Sequence, residues 1–85
     1  MAFSFDIDLG EHVDMHEKLA HVKQMAHDSP YHLDLVGDDQ CGKIKGIIGG
    51  DYEVVDDCTL TITIKKKPLI LSENKIKQAL TGFFS

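Results

Sequence analysis

The sequence contains no arginine among its 85 residues. Arginine supplies the planar, five-donor group that proteins favour for binding phosphate, carboxylate and guanine. The chain is also acidic, with a formal net charge of −5 at pH 7. A nucleic-acid-binding domain usually carries a basic patch that neutralises backbone phosphates. The missing arginine and the acidic balance together argue against nucleic-acid binding.

Cysteine is scarce, and Cys41 and Cys58 lack the C-x-x-C spacing of redox and zinc motifs. No apolar run is long enough to span a membrane. The first ten residues, MAFSFDIDLG, have no basic region and carry acids where a signal peptide needs an apolar core. We therefore expect a cytoplasmic protein with free thiols, since disulfides are rare in reducing compartments.

Length and composition predict one globular domain over residues 1–85. Apolar residues make up 42% of the chain and charged residues 27%, so intrinsic disorder is not expected. The charge is uneven: residues 1–39 carry nine acids against two lysines, a net charge of −7, and residues 40–85 carry +2. This polarity would orient self-association or a basic partner, although a solvated acidic surface is the simpler explanation.

Hydrophobic periodicity predicts the first strand and the first helix. Phe3, Phe5, Ile7 and Leu9 alternate with polar residues, as in a half-buried strand that ends at Gly10. Asp14 followed by Glu17 resembles a capping box and predicts a helix start. An apolar helical stripe follows, and the helix is expected to end before Pro30. That stripe consists of Met15, Leu19, Val22 and Ala26.

Strand-like alternation continues in residues 31–35, 43–48, 51–54 and 59–65. Gly37–Gln40 and the Asp56-Asp57 pair are typical of turns. Gly49-Gly50 interrupts the pattern as either a hairpin turn or a bulge. Strand-like residues flank these glycines on both sides, whereas a phosphate-binding loop leads into a helix. The glycines therefore indicate sheet structure and not a phosphate site.

A second amphipathic helix closes the chain. Ser72 is the predicted N-cap, and the apolar stripe runs from Ile76 to Phe83. The resulting order, β-α-β-β-β(-β)-α, predicts an α+β fold. We expect an antiparallel meander sheet with two helices packed on one face.

All five histidines lie in the acidic half of the chain. Imidazoles among carboxylates are able to bind zinc, copper or nickel. His12 and His16, with an acid such as Glu11, are the candidate metal ligands. His16 and His27 are three helical turns apart, too far for one ion. Exposed histidines that titrate near neutral pH remain the favoured interpretation, so we expect no resident metal and no cofactor.

No catalytic constellation is visible in the sequence. Cys58 follows Asp57 and Cys41 follows Asp39 closely, and neighbouring carboxylates raise a thiol pKa instead of lowering it. General acid–base work needs carboxyl groups with burial-shifted pKa values, but the paired aspartates belong to exposed turns. We therefore expect no enzyme activity.

The lysine run and the apolar C-terminal part are the candidate interaction residues. In a strand, the Lys66 side chain points to the opposite face from Lys65 and Lys67, so the three lysines do not form one patch. They either prevent another strand from pairing at the end of this one or contact an acidic partner. So small a domain is not expected to bury its whole apolar tail, although core packing is the simpler role. The candidates are Lys65, Lys66, Lys67, Leu69, Ile70, Leu71, Phe83 and Phe84.

Three segments together resemble the small putative polyhydroxyalkanoic acid system proteins. They are EKLAHVKQMA, GKIKGIIGGDYEVVDDCTLTITI and KKPLILSENKIKQAL, which cover most of the chain in order. The resemblance lies in spacing and hydrophobic pattern. It implies a bacterial cytoplasmic protein linked to polyester storage granules, and it carries over no catalytic residue.

The sequence therefore predicts a non-catalytic interaction module that self-associates or docks on a protein partner or an apolar surface, a polyester granule among them. The alternative is a small-ligand or metal-binding domain. It would use the hollow between helices and sheet, with His12 and His16 at the rim of that hollow.

Overall fold

The structure, a computed structural model, describes residues 2–10, 14–56 and 58–84, which form five strands and two helices. The strands are β1 (Phe3–Asp8), β2 (Asp34–Gly37), β3 (Cys41–Lys45), β4 (Gly49–Val54) and β5 (Thr59–Lys66), and the helices are α1 (Met15–Asp28) and α2 (Glu73–Phe83). Their order along the chain, β1-α1-β2-β3-β4-β5-α2, confirms the predicted α+β fold and includes the optional fourth strand of the meander.

The five strands form one antiparallel sheet in the order β1-β5-β4-β3-β2. Strands β2 to β5 follow one another as a meander, because a short turn joins each strand to the next. β1 pairs with β5, from Phe3 opposite Ile64 to Asp8 opposite Thr59. The first two strands of the chain therefore lie at the two edges, and α1 carries the chain across the sheet between them.

Both helices contribute to one apolar core on a single face of the sheet. Along β5, Leu60, Ile62 and Ile64 are wholly buried, while the threonines between them lie on the opposite face. This alternation follows the period-two geometry of a strand. The helices contribute Leu19, Val22, Ala26, Ile76 and Leu80 to the core.

The predicted helix caps are confirmed. The Asp14 carboxylate accepts a hydrogen bond from the Glu17 backbone N–H at 3.3 Å, and the Ser72 hydroxyl accepts one from Lys75 at 3.2 Å. Each bond satisfies a backbone donor that has no partner within its helix. Asp28 is the last residue of α1, two positions before Pro30.

The predicted course of the chain after Ile44 is wrong in one respect. We expected this strand to continue into Ile47 and Ile48, but β3 ends at Lys45 and the chain turns over residues 46–48. Gly46 begins this turn with a φ of 144°, a conformation that favours glycine. Gly49-Gly50 begins β4 and is not the hairpin turn. The register shifts between these two glycines, so the extra residue of this bulge, Lys65, lies opposite them on β5.

The strand predicted to start at Tyr31 begins three residues later, at Asp34. His32 has a φ of 49°, in the left-handed region that is incompatible with extended backbone. The Leu33 backbone N–H instead donates to the carbonyl of Ala26 at 3.0 Å, which ties this segment to the end of α1.

Tyr52 packs across the sheet on the core face. In the register, Gly42 lies opposite Tyr52, and a Cβ on Gly42 would lie 2.5 Å from Cε2 of the ring. The phenol hydroxyl passes over Gly42 and donates to the Asp38 carbonyl at 2.7 Å. Because glycine has no side chain, position 42 leaves room for the Tyr52 ring, and the buried Tyr52 hydroxyl reaches its hydrogen-bond acceptor.

The turn between β2 and β3 depends on Asp38. Its carboxylate accepts hydrogen bonds from the backbone N–H groups of Gln40 at 2.8 Å and Cys41 at 3.0 Å. The N–H groups of Cys41 and Gln40 stabilise the charged form and lower the pKa of Asp38. The predicted turn over residues 37–40 thus has an Asx-type cap.

Substituting Gly42→Ala should lower the free energy of unfolding by about 1–3 kcal/mol, since the new methyl group overlaps the Tyr52 ring. The matched control is Gly82→Ala in α2, where a Cβ meets nothing within 4 Å. That change should stabilise the protein by up to about 1 kcal/mol through helix propensity. Urea unfolding measures both values, and equal effects of the two substitutions would contradict this account of Gly42.

Substituting Asp38→Asn should lower the melting temperature at neutral pH and have a smaller effect in acid. A carboxyl whose pKa is depressed on folding stabilises the protein fully above its unfolded pKa, and this contribution disappears as the pH falls through the folded value. Thermal unfolding across the range from about pH 7 to about pH 3 tests this expectation. A difference between wild type and variant that stays constant over that range would show that the charge is unimportant.

Candidate interaction surface

The connection between β5 and α2 is a closed turn. The Leu71 backbone N–H donates to the Pro68 carbonyl at 3.1 Å, which places Leu69 and Ile70 at the two central positions of a β-turn. Lys67 Nζ donates to the Leu71 carbonyl at 2.9 Å. The turn is therefore fixed from both sides, and it presents what we call the Leu69–Ile70 tip.

The side chains of the Leu69–Ile70 tip are almost fully exposed. Leu69 is 98% exposed and Ile70 92%, whereas the other exposed large apolar side chains of the described residues lie near 50%. Central turn positions usually hold proline, glycine, asparagine or aspartate. Leaving a leucine or isoleucine in water forgoes about 1.5–3 kcal/mol of burial. These two side chains thus make almost no packing contacts that would stabilise the fold.

Leu71 behaves differently from the two residues before it. It is half-buried and packs against the apolar core. Its carbonyl is the acceptor for Lys67, and Ser72 caps α2 immediately afterwards. Of the three predicted apolar residues of this connection, one therefore anchors the turn and two face the solvent.

The three lysines before the turn have separate surroundings. Lys65 forms an ion pair with Asp51 at 2.6 Å on the face of the sheet opposite the helices. Lys66 is exposed at the end of β5, and Lys67 is held to the Leu71 carbonyl. Lys65 therefore forms an ion pair, Lys66 carries a free surface charge, and Lys67 holds the turn.

Phe83 and Phe84 do not join the Leu69–Ile70 tip. Phe84 is only 2% exposed and belongs to the core, so its predicted contribution to an exposed apolar surface is wrong. Its backbone N–H donates to Thr81, and this final turn of α2 points the ring inward. Phe83 is half-buried against the same core. Both rings lie at the end of α2, whereas the tip precedes its start, about 16 Å away along the helix axis.

The sheet register places the Leu69–Ile70 tip at one end of the molecule. Gly49 lies opposite Lys66, and Asp34 lies opposite Lys45. We call this the tip end; it holds the turns over residues 29–33 and 46–48 and the connection over 67–72. Ile47 is 48% exposed there, a position that the sequence prediction had placed within a strand.

Acidic residues concentrate at the opposite end, which we call the far end. It holds the turn over residues 38–40, the connection between β4 and β5 and the start of α1, where His16 contacts Asp39. The eight residues of β5 separate the two ends by roughly 25 Å. The acids at the far end are Asp8, Asp14, Asp38, Asp39, Glu53 and Asp56. The folded molecule therefore has an acidic end, to which both halves of the sequence contribute.

Two of the four histidines that the structure describes form pairs with aspartates. His16 Nδ1 lies 2.9 Å from Asp39 Oδ2, and His27 Nδ1 lies 3.1 Å from Asp34 Oδ1. No group of three histidine, cysteine, aspartate or glutamate side chains able to hold a metal ion occurs within residues 2–10, 14–56 and 58–84. His12 lies outside the described residues, so a site built from His12 and His16 stays a prediction.

The thiol of Cys58 has unfavourable surroundings for a nucleophile. The Thr59 hydroxyl lowers its pKa, but the Asp56 carboxylate, desolvation and the charge of Asp8 outweigh that effect and raise the pKa of Cys58. The thiol is therefore protonated near neutral pH, whereas the thiolate is the reactive form. The Asp57 invoked in the sequence prediction lies outside the described residues.

Polar side chains on the uncovered face of the sheet bind one another. Ser4 and Thr63 share a hydrogen bond of 2.9 Å between their hydroxyls, and the Thr61 hydroxyl donates to Asp6 at 2.7 Å. With the ion pair between Lys65 and Asp51, these contacts run across three strands. A shallow hollow of about 530 Å³ lies on this face, and it extends from Cys41 to Thr63. Much of its polar lining is already paired.

In a Cys41→Ser variant, which leaves Cys58 as the single thiol, alkylation by iodoacetamide should rise with a midpoint pH above that of an unperturbed cysteine. Adding Asp56→Asn should lower this midpoint, because it removes a neighbouring negative charge. Rates measured across the alkaline range test both expectations. A midpoint pH below that of a model thiol would contradict this expectation and favour a nucleophilic role for Cys58.

No protein-family model, no curated protein and no solved structure matches this chain. The resemblance to polyhydroxyalkanoic acid system proteins therefore stays a prediction. Of the two helices described, neither is long and apolar enough to cross a membrane.

Proposed function

We propose that this chain is a non-catalytic interaction module, which docks through the Leu69–Ile70 tip on a protein partner or an apolar surface, or on a second copy of itself. The observation that supports this most is the near-complete exposure of two adjacent aliphatic side chains. They stand on a turn that hydrogen bonds close from both sides. An exposed apolar group held in one conformation is suited to binding, because little further ordering is needed.

We further propose that the apolar surface is that of a polyester granule and that the compartment is the cytoplasm. One of the segments that resemble polyhydroxyalkanoic acid system proteins includes the tip, and that resemblance implies a link to polyester storage granules. Cys41 and Cys58 form no disulfide, which suits a reducing cytoplasm.

Small-ligand binding between helices and sheet has less support. Large side chains such as Leu19, Ile48 and Tyr52 occupy that layer and are almost wholly buried. Every buried side-chain nitrogen or oxygen in the described part of the chain has a hydrogen-bond partner. A binding site usually keeps polar groups free to orient its ligand.

A double variant, Leu69→Ser with Ile70→Ser, tests the proposed function. The wild-type protein should bind the dye bis-ANS, be retained on a phenyl resin and sediment with polyester particles. The variant should lose most of this binding while keeping the same circular dichroism, since neither side chain packs in the core. Light scattering on the same samples shows whether self-association depends on the tip.

The matched control is Val36→Ser with Val55→Ser, which removes two exposed aliphatic side chains away from the tip. These side chains are 53% and 52% exposed, so the control changes the overall apolarity of the surface in the same direction. The control should bind as the wild type does. Equal losses in the two double variants, or no binding by the wild type, would refute a special role for the tip.

A further inference from the structure

We propose that the surface on which the Leu69–Ile70 tip docks is an anionic phospholipid bilayer. The two aliphatic side chains enter the boundary between head groups and acyl chains, and exposed lysines around them face the lipid phosphates. This inference rests on the proposed function and names its partner.

The C-terminal third of the chain, which contains the tip, has a net charge opposite to that of the rest of the sequence. Residues 58–84 carry five lysines against one acid, Glu73, a net charge of +4, whereas the rest of the chain carries −9. Lys66 immediately precedes the connection and Lys75 lies in the first turn of α2. Both side chains are exposed, and neither forms an ion pair with a described residue. They are therefore free to meet an external anion.

The acids of the molecule do not cancel this attraction. The acidic cluster of the far end lies roughly 25 Å from the tip along β5. Electrostatic interactions are screened over about 8 Å at physiological ionic strength. At the tip end, the charge of Asp51 is paired with that of Lys65. The His27 ring beside Asp34 carries a charge only when protonated, so Asp28, Asp34 and Glu73 remain as the nearby acids. The same end carries four lysines besides Lys65, so a bilayer that approaches the tip meets a small excess of positive charge. They are Lys45, Lys66, Lys67 and Lys75.

Several backbone groups at the base of the tip already have hydrogen-bond partners, which suits them to an apolar environment. Pro68 has no N–H group, and its carbonyl accepts the N–H of Leu71. The Leu71 carbonyl accepts Lys67 Nζ. Burying unpaired backbone groups in lipid is costly, and these contacts pair several of them in advance. The half-exposed Ile47 at the same end of the molecule adds a third aliphatic group.

A second copy of this chain fits the tip less well than a bilayer does. Two aliphatic side chains offer on the order of 200 Å² of apolar area, whereas a stable protein interface buries about 800 Å² on each partner. Two tip ends would also repel each other, and a far end would present mainly carboxylates to the aliphatic tip. A bilayer accepts a small apolar tip, since insertion need reach only about 5–10 Å.

Vesicle flotation tests the inference with two lipid compositions, phosphatidylcholine alone and phosphatidylcholine containing roughly one-third phosphatidylglycerol. The wild-type protein should bind the anionic vesicles about tenfold more tightly than the neutral ones, and salt should weaken that binding. Leu69→Ser with Ile70→Ser should reduce binding to the anionic vesicles by about tenfold.

A second pair of variants separates the role of the local lysines from that of total charge. Lys66→Gln with Lys75→Gln should reduce binding to the anionic vesicles by about tenfold. Lys18→Gln with Lys23→Gln on α1 changes the net charge equally and should leave binding unchanged. Equal effects of the two pairs would overturn the inferred orientation.

A fluorescence measurement keeps the test independent of the stability of these variants. The chain contains no tryptophan, so Leu69→Trp introduces a unique probe at the exposed tip. Its emission should shift to the blue on anionic vesicles and stay unchanged on neutral ones. An unshifted emission on anionic vesicles would overturn the inference.

The outcomes distinguish this inference from the proposed function. If the protein binds neither kind of vesicle but binds dye and polyester particles through the tip, the bilayer is the wrong partner and the proposed interaction module is retained. Association that appears in light scattering but not in flotation would identify a protein surface instead. If no interaction of the wild-type protein, with dye, resin, polyester particles or vesicles, depends on the tip, both proposals are refuted.

Discussion

Strand β5 is the element on which the rest of the structure depends. It pairs with β1 on one side and β4 on the other, and its Leu60, Ile62 and Ile64 are wholly buried beneath the two helices. In a domain this small, only about 60% of the unfolded surface becomes buried, so a strand with neighbours on both sides contributes a large share of the apolar contacts. Its eight residues also fix where the chain leaves the sheet.

The position of the tip follows from that strand. β5 ends at Lys66, and the chain must reverse before α2 begins at Glu73. Pro68 cannot continue the hydrogen-bonding ladder as a donor, so a turn forms within this short connection. Leu71 packs against the core, which pushes the two residues before it outward. The exposed tip is thus a consequence of where the sheet ends and where the second helix is anchored.

Local patterns predicted most of the fold because they reflect local physics. The alternation in β1 and β5 and the caps at Asp14 and Ser72 depend on residues close together in the chain. The turn near Gly46 was missed because β-branched residues on both sides suit a strand equally well. Only the pairing of β3 with β4 decides that Gly46, and not Gly49-Gly50, reverses the chain.

The candidate surface was predictable only in part. The surplus of apolar residues near the C-terminus indicated that some would stay exposed, but the sequence did not say which. Helical geometry placed Phe84 off the apolar stripe, yet the last turn of α2 carries its ring into the core. The charges that surround the tip also depend on the register, which places Lys45 and Asp34 at the same end of the sheet as Lys66. Tertiary contacts decided each of these points.

The contact between Tyr52 and Gly42 has a consequence for how this sequence is able to change over time. The aromatic ring fills the space that any side chain at position 42 would need. A drift away from glycine there becomes tolerable only after the ring has been exchanged for something smaller. Among descendants of this chain, the two sites should therefore be replaced together, although ten positions separate them along the backbone.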